Sequence, residues 1–273
     1  MAQKGKSQLD KAKTKIFFEK QDGALCGQHC LNNALQSSLF SAVDLSEIAR
    51  QLDEKERQTM AERGTDTKEY REFIANPSSN FDDSGYFSVQ VLAEALGNMN
   101  LELVSFESDD SRSVKARNAP LEERLFVCHM EDHWFSMRKF GQQWVNLNST
   151  LTGPELLTET YFKMLLSTLQ TEGGRLFIVF GELPFSDADE AFTNLRRTDD
   201  GHYVDEGVGH RLGSDQLDEA TAMERGLRLS MAKTPAESVR AQRAAFLSRF
   251  VAPASGNASS PTSENEADKN AKT

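Results

Sequence analysis

Four side chains in this sequence could together perform nucleophilic chemistry: Gln21, Cys26, His133 and Asn148. The stretch QDGALCGQHCLNNAL, residues 21–35, sets a cysteine where a Gly-containing loop meets a helix pattern, with a glutamine upstream of it. A thiol attacks efficiently only as a thiolate. The positive end of a helix dipole and a neighbouring imidazolium both lower its pKa. Cys26 in a first helical turn has the former, and His133 could supply the latter. The runs HWFSMRKF and QQWVNLNS flank Gly141 and read as a β-hairpin. With the turn centred between Phe140 and Gly141, His133 falls directly opposite Asn148 on one sheet face, where paired Cβ atoms lie roughly 4.5–5.5 Å apart. An Asn at that distance accepts from one imidazole nitrogen and fixes the tautomer. The sum is a Cys-His-Asn arrangement for nucleophilic catalysis. The Gln21 side-chain NH₂ and the Cys26 backbone N–H can converge on a developing oxyanion, because a turn at Gly23 folds the chain back.

Taken singly these residues have plainer readings. A buried Cys is usually a small inert hydrophobe, and a lone His at a strand start is usually structural. Their joint presence in this order favours chemistry. Zinc is the competing use of Cys26, His29, Cys30, Cys128, His129 and His133. Their spacings resemble no paired-ligand knuckle, and a structural site needs four convergent groups. Cys128 sits mid-strand between apolar neighbours, and His129 alternates to the other face. His29 and Cys30 fit packing within the helix. No metal and no cofactor is expected.

The elements that must position the site follow from pattern. LCGQHCLNNALQSS reads as a helix approached through Asp22 and Gly23. SAVDLSEIARQLDEKERQTM carries Leu45, Ile48, Ala49 and Leu52 at helical spacing, and TDTKEYREFIANP is a short helix stopped by Pro77. These two form a charged, thinly apolar helical hairpin. SGYFSVQVLAEALGN is a further helix ended by Gly97. LELVSFE, RLFVCHM, the hairpin above and RLFIVFGEL read as strands, and GPELLTETYFKMLLSTLQTEGG as a helix with Pro154 in its first turn. Helices first and an antiparallel sheet second give an α+β or mixed α/β domain.

Composition narrows the class. In 273 residues the apolar share is 38%, which leaves part of the chain outside a packed core. Three cysteines are too few for a disulfide framework and suit the reduced cytoplasm or nucleus. No apolar run approaches the ~20 residues of a membrane helix, and the basic N-terminal arm, residues 1–15, lacks the apolar core of a secretory signal. A net charge of −11 argues against nucleic acid as the main partner.

The segments IFFEKQDGALCGQHCLNNALQ, DDSGYFSVQVL, HWFSMRKFGQQWVNLNSTLTGPELL and FGELP closely resemble the Josephin domain, in its ataxin-type branch. The likeness runs from about Ile16 to Pro184. It implies a papain-like cysteine protease fold over residues 16–185, α+β in class, with a projecting helical hairpin at 42–76. It implies a deubiquitinase that hydrolyses the isopeptide bond after ubiquitin's C-terminal glycine. Carried over, Cys26 is the nucleophile, His133 the base, Asn148 the orienting residue and Gln21 the oxyanion donor. Val89 and Gln90 match positions near one ubiquitin-contact surface, and Leu39 and Phe40 match an apolar pair on a second. The glutamine tract of ataxin-type proteins is not present. The basic run that relatives use to bind the p97-type ATPase is reduced to Arg196-Arg197, which puts that partnership in doubt. The alternatives are a ubiquitin-binding adaptor on the same fold and a general papain-like peptidase.

Beyond residue 185 the chain changes character: an acidic linker at 186–215, helix-permissive segments at 216–233 and 234–252, and a tail of disordered composition at 253–273. DEATAMERGLRLSMAK resembles a ubiquitin-interacting motif, with Met223 and Leu227 as apolar contacts and Ser230 as polar anchor. Gly226 stands where the motif wants Ala, and Lys233 where an acid is usual. A degenerate second copy follows within 234–252.

Overall fold

The computed structural model describes residues 7–195, apart from positions 22, 24, 63, 77, 83 and 84. The order is α1 (Gln8–Lys13), α2 (Cys26–Leu35), α3 (Ala42–Glu62), α4 (Lys68–Ala75), α5 (Val89–Gly97), β1 (Glu102–Ser105), α6 (Ser111–Asn118), a 3₁₀ turn (Pro120–Glu122), β2 (Leu125–Met130), β3 (His133–Phe140), β4 (Gln143–Asn146), β5 (Glu155–Leu157), α7 (Glu159–Thr171), β6 (Arg175–Phe180) and α8 (Asp187–Thr193). The six strands form one antiparallel sheet in the order β1-β6-β2-β3-β4-β5. The chain is thus α+β, as its pattern indicates.

Strand alternation splits the core in two. Leu125 and Val127 of β2 join Trp134 of β3 and the buried residues of α2, α3 and α5 on one face. Phe126 and Cys128 join Phe135, Met137 and Trp144, against Phe162, Leu165, Leu166 and Leu169 of α7, on the other. Trp144 stacks on Phe162 at 4.0 Å between centroids, a large apolar contact that seats α7.

The helical hairpin is where the sequence puts it. α3 buries only Leu45, Ile48 and Ala49, all in its first half, and α4 buries nothing. The distal half therefore stands clear of the core beside a cleft of about 920 Å³, which Phe73 and Ile74 line. Its base is tied down: Asp53 Oδ1 accepts from Ser78 Oγ at 3.0 Å and from the buried Asn80 Nδ2 at 2.8 Å.

Three elements depart from expectation. The segment read as one helix from Pro154 is a strand, β5, and then α7. Thr158 caps α7 by accepting from Tyr161 N at 3.2 Å, while Trp144↔Leu157 pairing takes the preceding residues into the sheet. The segment read as linker begins with α8, closed by a Ser186–Asp189 capping box and packed through Ala188 and Phe192. A Cβ on Gly141 would lie 3.0 Å from Phe192 O, so the β3–β4 turn needs its glycine to let α8 approach. The basic arm holds α1, whose Ala12 is buried in the same cluster. Among the described residues no helix is long and apolar enough to cross a membrane.

Candidate active site

The site is built where the N-terminus of α2 meets the β2–β3 turn. Cys26 is the first residue of α2 and is fully buried, with its Sγ 4.0 Å from Asp132 O. The N-cap is Leu25, which offers no side-chain cap bond. The first-turn N–H groups therefore keep their positive end directed at the thiol. Asp22, expected to approach this cap, lies outside the described residues.

Polar residues along α2 tie it to the segment before it. Asn33 accepts from Glu19 N at 2.6 Å and donates to Glu19 O at 3.0 Å and to Leu147 O at 3.3 Å. Gln36 makes the same paired contact with Phe17, at 3.0 and 3.2 Å. At the far end of α2 the buried Arg138 donates to Ala34 O at 2.7 Å, complementing the helix C-terminus. Burial pulls the Arg138 pKa down, and Asp189, at 2.7 Å, opposes that pull.

His133 opens β3, directly after a two-residue turn whose Glu131 and Asp132 both have positive φ, 46° and 61°. Its Nε2 lies 2.8 Å from Asn148 Oδ1. The pair meets, but not by the register expected. The β3–β4 turn is Gly141-Gln142, Phe140 pairs with Gln143 and Met137 with Asn146, so the ladder is offset by two residues from the assumed one. An even offset keeps every side chain on its face, and the contact survives diagonally. Thr150 then fixes its chemistry. Its backbone N–H, an obligatory donor, reaches Asn148 Oδ1 at 3.0 Å, and its hydroxyl does so at 2.9 Å. The accepting atom is therefore the amide oxygen, so His133 Nε2 donates. In the neutral imidazole this leaves the lone pair on Nδ1.

Gln21 is delivered to the same loop. Its N donates to Ser149 O at 2.8 Å, and its Oε1 accepts from Ser149 Oγ at 3.1 Å. With Oε1 engaged, the NH₂ is the end left to meet an anion. Ser149 and Thr150 carry no catalytic signature of their own, although NST directly after a strand is a polar cluster that invites such bonds.

The other two thiols are free and buried. Burial pushes the Cys30 and Cys128 pKa values well up, which keeps both as neutral thiols. His29 Nδ1 is bound to Glu19 Oε2 at 2.8 Å. Among the described residues no three His, Cys, Asp or Glu side chains converge as a metal site. Leu39 is exposed and Phe40 half-buried against the core. Val89 starts α5 half-buried, and its neighbour Gln90 is exposed. Met223, Leu227 and Ser230 lie outside the described residues.

A family model described as Josephin matches residues 21–180. The chain is 51% identical to human ataxin-3 over 181 residues, 66% of this chain and 50% of that protein. It is 53% identical to mouse ataxin-3 over 181 residues, again 66% of this chain and 50% of that protein. It is 38% identical to the ataxin-3 homolog of Caenorhabditis briggsae over 228 residues, 80% of this chain and 68% of that protein. It spans about half the length of the human and mouse relatives.

Proposed function

Because the chain belongs to the Josephin family, a deubiquitinase family of the cysteine-protease type, we propose that it is a thiol-dependent ubiquitinyl hydrolase cleaving isopeptide bonds at the C-terminal glycine of ubiquitin and editing ubiquitin chains. What carries the reading is the His133–Asn148 bond at 2.8 Å, with its polarity pinned by Thr150, beside the helix end that bears Cys26.

In this mechanism His133 Nδ1 takes the Cys26 proton, and the thiolate attacks the glycine carbonyl carbon. The oxyanion forms toward the Gln21 NH₂ and the Cys26 N–H. The His133 imidazolium, held by Asn148, gives its proton to the departing lysine amine. A thioester remains on Cys26. Water, deprotonated by His133, attacks it and frees the ubiquitin carboxylate. Two protein surfaces would hold ubiquitin: Leu39 with Phe40, and Val89 with Gln90. The segment at 216–233 would add a third contact through Met223, Leu227 and Ser230. Ubiquitin and polyubiquitin are the partners in this reading, and the reduced cytoplasm or nucleus is its setting. The test is Cys26→Ala, which should abolish hydrolysis of a ubiquitin–fluorophore conjugate while leaving ubiquitin binding in place. Turnover by the variant near the wild-type rate would remove Cys26 from its role.

A further inference from the structure

Cys26 has 0% of its surface exposed, yet in the proposed reaction it must meet a carbonyl carbon. The space in front of it is bounded on one side by the β2–β3 turn, through Asp132 O. Gly85, Tyr86 and Phe87 run beside the same helix end. A Cβ on Gly85, whose φ is +81°, would come within 2.9 Å of Leu25 Cδ2, and one on Gly27 within 3.6 Å of Phe87. These residues therefore press on both chain neighbours of the nucleophile. Two polar links join them to the sheet. Trp134 Nε1 donates to Phe87 O at 2.9 Å, and the half-buried Tyr86 hydroxyl lies 3.2 Å from His129 Nε2. The His129 ring packs on Trp134 at 4.4 Å between centroids, tilted by 49°, and meets the Tyr86 ring edge-on at 5.9 Å. Burial raises the Tyr86 phenol and lowers the His129 imidazole, so a protonated phenol faces a neutral ring. Asp132 and Arg175 act on both groups with opposite signs.

We propose that Tyr86 is a specificity-determining residue: through His129 it holds the 85–87 segment against β2 and keeps the approach to Cys26 too narrow for a side chain on the acyl part of the substrate. The inference rests on Cys26 as nucleophile and deepens the ubiquitin reading, since an extended glycine pair is the acyl segment such an approach admits. Neither residue belongs to the Gln-Cys-His-Asn set, and their partnership across 43 positions is a tertiary one.

The test uses the full chain with Tyr86→Phe, His129→Asn and the double variant. Alkylation of Cys26 by iodoacetamide, located by peptide mass, should quicken about twofold to tenfold in each single variant, the equilibrium worth of one net hydrogen bond. The double variant should be no faster than the quicker single one. Cys30 and Cys128 are the internal reference. If all three thiols gain together, the pair is merely structural and the inference falls, as it does if Cys26 is unaffected. The second readout is kcat/KM for a ubiquitin–fluorophore conjugate against one whose penultimate ubiquitin residue is alanine. The preference for glycine should shrink by about twofold to tenfold in the variants, and an unchanged preference overturns the specificity role. Should the wild type turn over neither conjugate, the ubiquitin reading is what fails, and the alkylation series still decides the Tyr86–His129 tie.

Discussion

Removing Asp189 should cost the protein far more than its place in a short, polar helix suggests. Arg138 is completely buried, and its guanidinium donates to Ala34 O, Pro184 O and Asp189 Oδ2, each at 2.7 Å. The two carbonyls satisfy donors but carry no charge. Asp189→Ala leaves a buried cation opposed only by solvent it cannot reach, a loss of about 3–5 kcal/mol. It also removes the acceptor that closes the Ser186 capping box, worth about 1 kcal/mol. Against a total stability of about 5–15 kcal/mol this is a large share. Arg138→Met with Asp189→Leu removes the charge along with its partner. It forfeits the two carbonyl bonds and the same cap acceptor, about 1 kcal/mol each, and should still be milder than Asp189→Ala alone. Urea unfolding followed by tryptophan fluorescence measures this directly, because both tryptophans of the chain, Trp134 and Trp144, are buried in the domain. A fall of less than about 1 kcal/mol for Asp189→Ala, or a double variant worse than the single one, would show that Asp189 does not hold the buried charge. The same loss should slow catalysis, since Arg138 grips the end of the helix that carries Cys26.

His133→Ala should be more damaging to kcat than Asn148→Ala, because the base takes the proton while the amide only aims it; steady-state kinetics giving the reverse order would reassign the pair. Asp44 accepts from Ser41 N at 2.8 Å and Ser41 Oγ at 2.6 Å, which holds its carboxyl below the ordinary 3.8. Its support for the start of α3 is therefore present above the unfolded pKa and lost as pH falls through the lower folded value, so an NMR titration should find a midpoint below 3.8 that Ser41→Ala raises. Leu227→Asp should reduce cleavage of long ubiquitin chains more than of a mono-ubiquitin conjugate, since the loss is one of avidity; equal reduction would discount the segment at 216–233 as a ubiquitin contact.

What was legible in the sequence was periodic or local. Leu45, Ile48 and Ala49 at helical spacing announced α3, and Cys26 at a loop–helix boundary announced the start of α2. His133 and Asn148 could be placed on one face because face depends only on odd or even offset, which the wrong turn centre did not disturb. The register itself was not legible, because a glycine marks a turn without saying whether it opens or centres it. The helices α1, α6 and α8 are short and polar, and α8 is anchored by Asp189 to Arg138, 51 positions away. No local pattern encodes that contact. Pro154 reads equally as a helix start or as the lead into a strand, and pairing with β4 decides between them.

In the proposed reaction Cys26 attacks the carbonyl of ubiquitin's C-terminal glycine. The most direct measurement is reaction of the full chain with ubiquitin bearing an electrophile in place of that carboxylate, followed by peptide mass mapping. A single one-to-one adduct on Cys26 is expected, formed with intact Gln21, His133 and Asn148 and slowed when His133 is replaced by alanine. No adduct, or an adduct on Cys30 or Cys128, would contradict it.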